Sequence, residues 1–335
     1  MLSRVADSIY WMNRYIERAE NTARFIAVNF ILTLDTHDPS ADQWMPLVMA
    51  SGDHALFSQH YADVSKRNVI RFLTFDTFNP NSLISCLTAA RENARSVREI
   101  ISSEMWEQVN RLYLFVRNAA SRDVSNEFEF FTQVKLESHL FAGIMEGTMS
   151  HNEGWHFGRM GRLLERADKT SRILDVKYFI LLPNVEDIGS PLDSAQWAAV
   201  LKSASALEMY RKKNHLITPI EVAEFLLLDR EFPRSILYAV SRAERSLHEI
   251  TGNPKGEFAT SAEKALGKVR ADLEYTDIRE IMTIGLHEYL DALQIKLNGV
   301  GERIYETFFA LRPLTQTQSQ GQLQTQTQTQ TQTQT

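Results

Sequence analysis

"WMNRYIERAENTARFI", residues 11–26, returns in altered form as "RMGRLLERADKTSRIL", residues 159–174. At an offset of 148 residues Met12 falls on Met160, Arg14 on Arg162, and Glu17-Arg18-Ala19 on Glu165-Arg166-Ala167. Thr22 then falls on Thr170 and Arg24 on Arg172, while the acids Glu20 and Asp168 coincide. A helical period of 3.6 sorts the first copy into two faces. Met12, Ile16, Ala19, Ala23, Ile26 and Phe30 form an apolar stripe, answered by Met160, Leu164, Ala167, Ser171, Leu174 and Tyr178. Arg14, Glu17, Arg18 and Asn21 lie opposite, answered by Arg162, Glu165, Arg166 and Lys169.

A second correspondence follows in the same order. "RFLTFDTFNPNSLISCL" (71–87) lies over "EFLLLDREFPRSILYAV" (224–240) at an offset of 153, matching Phe72 with Phe225, Asp76 with Asp229, Pro80 with Pro233 and Ser82 with Ser235. Two motifs in one order at nearly one offset point to an internal repeat. The expected fold is all-α: a duplicated helical bundle whose halves, 1–150 and 151–312, are related by a pseudo-twofold and share one core. No flexible linker separates them, and crossing angles should be those of packed helices.

The charged face admits three explanations. A solvated face with i,i+3 and i,i+4 ion pairs contributes about 0.2–0.5 kcal/mol per pair. However, Tyr10, Phe25, Val28 and Ile173 interleave with the charges, which fits a face covered by another helix. Covered glutamates need partners, and a guanidinium fork meets a carboxylate with two bonds. A buried Arg–Glu network is one outcome. An anion pocket is the other, because Arg14, Arg18, Arg162 and Arg166 outnumber Glu17 and Glu165. The candidate ligand or partner residues are therefore Arg14, Glu17, Arg18, Asn21, Arg24, Arg162, Glu165, Arg166 and Arg172. Arg91 and Arg95 join them if the helix around "ARENARSVRE" faces the same centre; otherwise they lie on a solvated face.

The rest of the chain bounds the function. It has 335 residues, 44% of them hydrophobic, with 14 glycines and 9 prolines, which favours long helices. A net charge of -6 gives no global field for nucleic acid. The lone Cys86, in an apolar helical stretch, reads as a buried inert thiol and fits a reducing compartment. With no window resembling a membrane span and no signal peptide, a cytoplasmic protein is expected. The "QTQTQT" tail, residues 313–335, is polar low-complexity sequence expected to be disordered.

Helix starts are expected at Ser3, Asn79-Pro80 and Thr218-Pro219, with loops near 35–45, 183–192 and 251–257. "RNVIRFLTF" fits either a strand or a short helix. Asp76 and Asp229 read as helix-end caps. His151 and His156, five apart, lack the i,i+4 stacking of a zinc helix, and no metal site is expected. Close helix packing is the expected role of the glycines beside Trp155. There is no phosphate loop, dinucleotide fingerprint or nucleophile elbow, so no cofactor is expected.

"YWMNRYIERAENTARF", "NPNSLISCLTAARENARSVREIIS" (79–102) and "FGRMGRLLERADKTSRILD" (157–175) together resemble the alpha-E domain family, a bacterial α-helical group with a Glu-Arg motif. The resemblance runs from Met1 to about Arg312. By position, the motif residues are Glu17, Arg18, Glu165, Arg166 and the Asn79–Arg95 stretch. Members are encoded beside, or fused to, circularly permuted ATP-grasp ligase-like proteins and transglutaminase-like proteins. The resemblance thus implies an auxiliary or binding protein of an ATP-dependent peptide- or amide-ligase system, with those proteins as partners. The alternatives are an enzyme of amide chemistry using Glu17 or Glu165 as general base, and a purely structural scaffold. A general base needs a raised pKa, and surrounding arginines act the other way.

Overall fold

The structure is a computed structural model, and it describes residues 1–35, 44–120, 126–179 and 190–310. Every regular element among them is a helix. The first half holds α1 (Ser3–Asp35), α2 (Met45–Ser51), α3 (His54–His60), α4 (Lys66–Thr74), α5 (Leu83–Ser96), α6 (Ser103–Ala120) and α7 (Glu127–Thr148). The second holds α8 (Glu153–Phe179), α9 (Pro191–Ser203), α10 (Leu207–Lys213), α11 (Pro219–Leu228), α12 (Ile236–Thr251), α13 (Ser261–Tyr275), α14 (Ile278–Ile284) and α15 (Leu286–Ile304). A single π turn, Tyr305–Phe309, follows α15.

Side-chain caps set many of the starts. Thr218 caps α11 by accepting the Glu221 N–H, with Pro219 in the first turn as expected. Ser82 caps α5 and Ser235 caps α12, each accepting the backbone N–H three residues on. The Asn79-Pro80 start is corrected: Asn79 shapes the preceding turn, accepting the Asn81 N–H at 2.9 Å, and the helix begins three residues later. Ser3 is the first residue of α1 rather than its cap. "RNVIRFLTF" is helical within α4, where Val69, Ile70, Phe72 and Leu73 bury one face. The 251–257 loop opens at Gly252, in the left-handed conformation with φ 75°. The expected 35–45 and 183–192 loops fall mainly, and the tail wholly, outside the described residues.

The apolar stripes predicted for the two ER helices are buried: Met12, Ile16, Ala19, Ala23 and Ile26 on α1, and Met160, Leu164, Ala167 and Leu174 on α8. α1 reaches three apolar clusters. Ala6 and Tyr10 join the second-half core around α8, α11 and α12. Ala19 to Phe30 pack on α2, α4, α5 and α7. Ile9, Met12 and Ile16 meet Ala90, Val109, Phe141 and Trp155. Cys86 is buried, and burial pushes its thiol up to about 11.

α1 and α8 pack face to face, and glycine lets them do so. A Cβ on Gly161 would sit 2.5 Å from the Tyr10 carbonyl oxygen. A Cβ on Gly158 would sit 2.6 Å from the Asn13 amide nitrogen. Gly154 is similarly crowded by Met1 and Met149, so both glycines beside Trp155 serve close packing. This approach brings the two charged faces into contact.

Candidate functional site: a buried Arg–Glu centre between α1 and α8

The charged face of α1 is covered by α8, and the ion pairs cross from one helix to the other. Glu165 of α8 is 0% exposed. Arg18 of α1 gives it Nε at 2.6 Å and Nη2 at 3.0 Å, and Arg14 gives Nε at 2.9 Å. Conversely, Glu17 of α1 is 5% exposed. Arg166 of α8 gives it Nε at 2.8 Å and Nη2 at 2.9 Å. Glu17 thus meets Arg166, and Glu165 meets Arg18, each through the planar fork that a guanidinium offers a carboxylate.

The surroundings of the two carboxylates differ. Around Glu165, Lys169 Nζ stands 3.8 Å away and 3.2 Å from Asp168. Arg172 gives its Nε to Asp168 at 3.1–3.2 Å. Arg18 Nη1 also donates to Asn81 at 2.7 Å, and Asn81 donates to Asp53 at 2.9 Å.

Around Glu17, Arg234 takes the place that Asn81 has on the other side. Its Nη1 reaches Glu17 at 3.4 Å and Asn21 at 3.1 Å, and its Nη2 reaches Glu20 at 2.8 Å. Arg24 pairs with Glu20 one turn back and contacts the Ser205 hydroxyl. Its Nη2 lies 3.1 Å from His139 Nε2, which also lies 3.1 Å from Glu20. Ser205 has φ 50°, the one left-handed non-glycine residue among those described. Arg162 does not bridge to Glu17, and its buried Nε has no acceptor.

Electrostatics follow these contacts. Burial pushes the Glu17 carboxyl up, but Arg166, Arg234 and Arg162 together outweigh it and bring it down to about 2. Glu165 behaves alike, burial being outweighed by Arg18, Arg14 and Lys169, and lies well below the carboxylate range. Against burial, acid partners hold Arg14, Arg18 and Arg172 above their ordinary value. On the other side Glu17 likewise holds Arg166 above its ordinary value against burial, but the remaining arginines fall. Burial, then the neighbouring Arg234, brings Arg24 down to about 8. Burial likewise brings Arg162 and Arg234 down to about 10. His139, whose side chain is 55% exposed, is pushed down to about 4 by the partial burial of its ring first and then by Arg24 and Arg234.

The centre therefore gathers Arg14, Glu17, Arg18, Asn21, Arg24, Arg162, Glu165 and Arg166, with Arg172 at its edge. Arg91 and Arg95 are not brought to it. Arg91 bonds Asn110 at 2.8 Å and stacks toward Tyr113, and the exposed Arg95 pairs with Glu92. Of the paired acids, Asp229 caps the turn into α12, accepting the Glu231 and Phe232 N–H groups. Asp76 instead accepts the Tyr61 hydroxyl and the Arg71 guanidinium.

Sequence reasoning missed Arg234, Asn81, His139 and Ser205. Arg234 and Asn81 are legible in retrospect, as the unlike residues between the matched prolines and serines. His139 and Ser205 carry no pattern.

Among the described residues, one His/Asp group stands elsewhere: Asp175 of α8 with His287 and Asp291 of α15. His287 Nδ1 lies 2.7 Å from Asp175 and Nε2 3.7 Å from Asp291. The carboxylates raise the imidazole's pKa against burial. His151 and His156 flank the Trp155 ring, at 4.0 and 4.9 Å between centroids.

Comparison with known proteins fits this architecture. The family model Alpha-E, described as a predicted alpha-helical domain with a conserved ER motif, matches residues 1–309. The uncharacterized protein Rv2567 of Mycobacterium tuberculosis is 21% identical over 337 residues, covering 92% of this chain and 37% of its own length. The uncharacterized protein Mb2597 of Mycobacterium bovis gives the same figures. The chain thus spans little more than a third of the curated relatives it matches. No solved structure matches. No described helix is long and apolar enough to cross a membrane. With the family model covering nearly the whole chain and both ER pairs at its central helix contact, the chain belongs to the Alpha-E family.

Proposed function

We propose that this domain is a non-catalytic partner module of an ATP-grasp-like peptide or amide ligase, and that its Arg–Glu centre is an architectural lock rather than a reacting site. The supporting observation is the closure of that centre. Both glutamates are buried and held by guanidinium forks, so neither is poised to take a proton near neutral pH. This weighs against Glu17 or Glu165 as a general base. The length of the mycobacterial relatives is consistent with a module that works beside further domains.

In the same proposal, the chain is a doubled unit, residues 1–150 and 151–312, related by an approximate twofold near the α1–α8 contact. The exchange of Glu17–Arg166 for Glu165–Arg18, in which each residue is replaced by its equivalent 148 positions away, supports it. A transglutaminase-like protein is a further proposed partner, and the cytoplasm the proposed location.

The test is reconstitution with an ATP-grasp-like ligase encoded beside the gene. We expect co-purification, no amide formation by this chain alone, and ATP-dependent product only when the ligase is present. Turnover by the isolated chain that Glu17→Gln or Glu165→Gln abolishes in a folded protein would overturn it.

A further inference from the structure

Beside the Glu165 half of the centre lies a small cavity of about 40 Å³, open to solvent on one side. Arg18, Lys169 and Arg172 line it together with Asn21, Asn81 and Ser51. Phe25, Leu47, Leu73 and Ile173 supply apolar lining. We propose that this cavity binds the carboxylate of a small aliphatic acid or of a peptide end.

Three observations support this. The first is charge. Arg14, Arg18, Lys169 and Arg172 face Glu165, Asp168 and Asp53, which leaves one cation over, and each acid is already engaged. Arg172 spends only its Nε on Asp168, and no other hydrogen bond engages its terminal nitrogens among the described residues.

The second is construction. Nη1 of Arg172 packs over Gly52, where a Cβ would come within 2.8 Å. Gly52 has φ 80°, a conformation that also favours glycine. The guanidinium is thereby seated at the cavity by the backbone of the α2–α3 turn.

The third is size and lining. At about 40 Å³ and partly open, the cavity has room for a small planar group, and the atoms that follow it can leave along the apolar lining. That lining suits the alkyl carbons that follow a carboxylate and does nothing for inorganic phosphate.

The inference is independent of any ligase partner, because binding is measured on the isolated full chain. Calorimetric titration would use butyrate, N-acetyl-glycyl-leucine, the amide of that dipeptide, and inorganic phosphate. We expect saturable binding of butyrate or of the free-acid dipeptide, and none of the amide. Binding of butyrate alone identifies a free acid as the source, and binding of both identifies a peptide end.

Arg172→Gln should weaken binding tenfold or more. Ala50→Leu, which fills the cavity from α2 without altering charge, should abolish it, and it serves if the arginine variant does not fold. The proposal is overturned if neither acid binds, if phosphate binds as tightly, or if binding survives Ala50→Leu in a folded protein.

Discussion

The two carboxylates of the centre sit in matching phrases of sequence, yet the excess of positive charge around them differs. Glu165 is met by Arg14, Arg18 and Lys169, with Asp168 and Asp53 nearby, so that only one cation is in excess once Arg172 is counted. Its arginines hold their protons more tightly than usual. Glu17 is met by Arg166 and Arg234, with Arg24 and Arg162 close by and only Glu20 to help. There Arg24, Arg162 and Arg234 hold their protons less tightly. Burial is the largest cause of the contrast, and one position adds to it, the residue after the matched prolines: neutral Asn81 beside Arg18, and cationic Arg234 beside Glu17 and Arg24. A repeated motif can thus keep its helix-to-helix bridges while the excess charge around each copy diverges.

The largest effect should come from the Glu165 side. Glu165→Gln leaves Arg14, Arg18 and Lys169 facing one another in a buried space, and we expect a loss of about 3–5 kcal/mol in urea unfolding. Arg18→Met should cost nearly as much, since it strips the bidentate partner from a carboxylate with no access to water. Arg24→Met is the sharpening comparison. Glu20 keeps Arg234 and His139, and a repulsive neighbour of Arg234 is removed. Its loss should be about 1 kcal/mol or less, and a loss matching that of Arg18→Met would break the proposed asymmetry.

Gly161→Ala tests the helix approach itself. The added carbon meets a backbone oxygen that has little room to move, so we expect a loss of about 1–3 kcal/mol by the same melts.

The smallest and broadest effect is the response to acid. His139 has a folded pKa of about 4, below its unfolded value of 6.5, so its contribution is complete above 6.5 and lost as pH falls toward 4. Glu17, at about 2 when folded and 4.5 when unfolded, contributes fully above 4.5 and loses that contribution as pH falls toward 2. Thermal melts across pH 7 to 2 should therefore decline in two stages, and His139→Gln should shrink the first, to which His156, also lowered by burial, contributes.

Much of this architecture was legible in the residues. The 3.6-residue spacing of Met12, Ile16, Ala19 and Ala23 placed one face of α1 in the core, and the tyrosine and valine among its charges indicated that the other face was covered too. Glu17, Arg18, Glu165 and Arg166 were named from the repeated phrase alone. Pairing was harder to see, because it crosses between helices far apart in sequence and depends on rotation about their axes. Arg91 and Arg95 share the i,i+4 spacing of the true site but point away from it, since local periodicity does not say which neighbour a face meets. Ser205 was invisible for another reason: a left-handed serine has no local signature, and its place is set by the turn between α9 and α10.

The most direct test of the reciprocal lock is a pair of double-mutant cycles on unfolding free energy, Glu17→Gln with Arg166→Met and Glu165→Gln with Arg18→Met. Contact across the α1–α8 interface predicts a coupling of about 2–3 kcal/mol in each cycle. Couplings below about 0.5 kcal/mol, the size expected of independent sites, would contradict it.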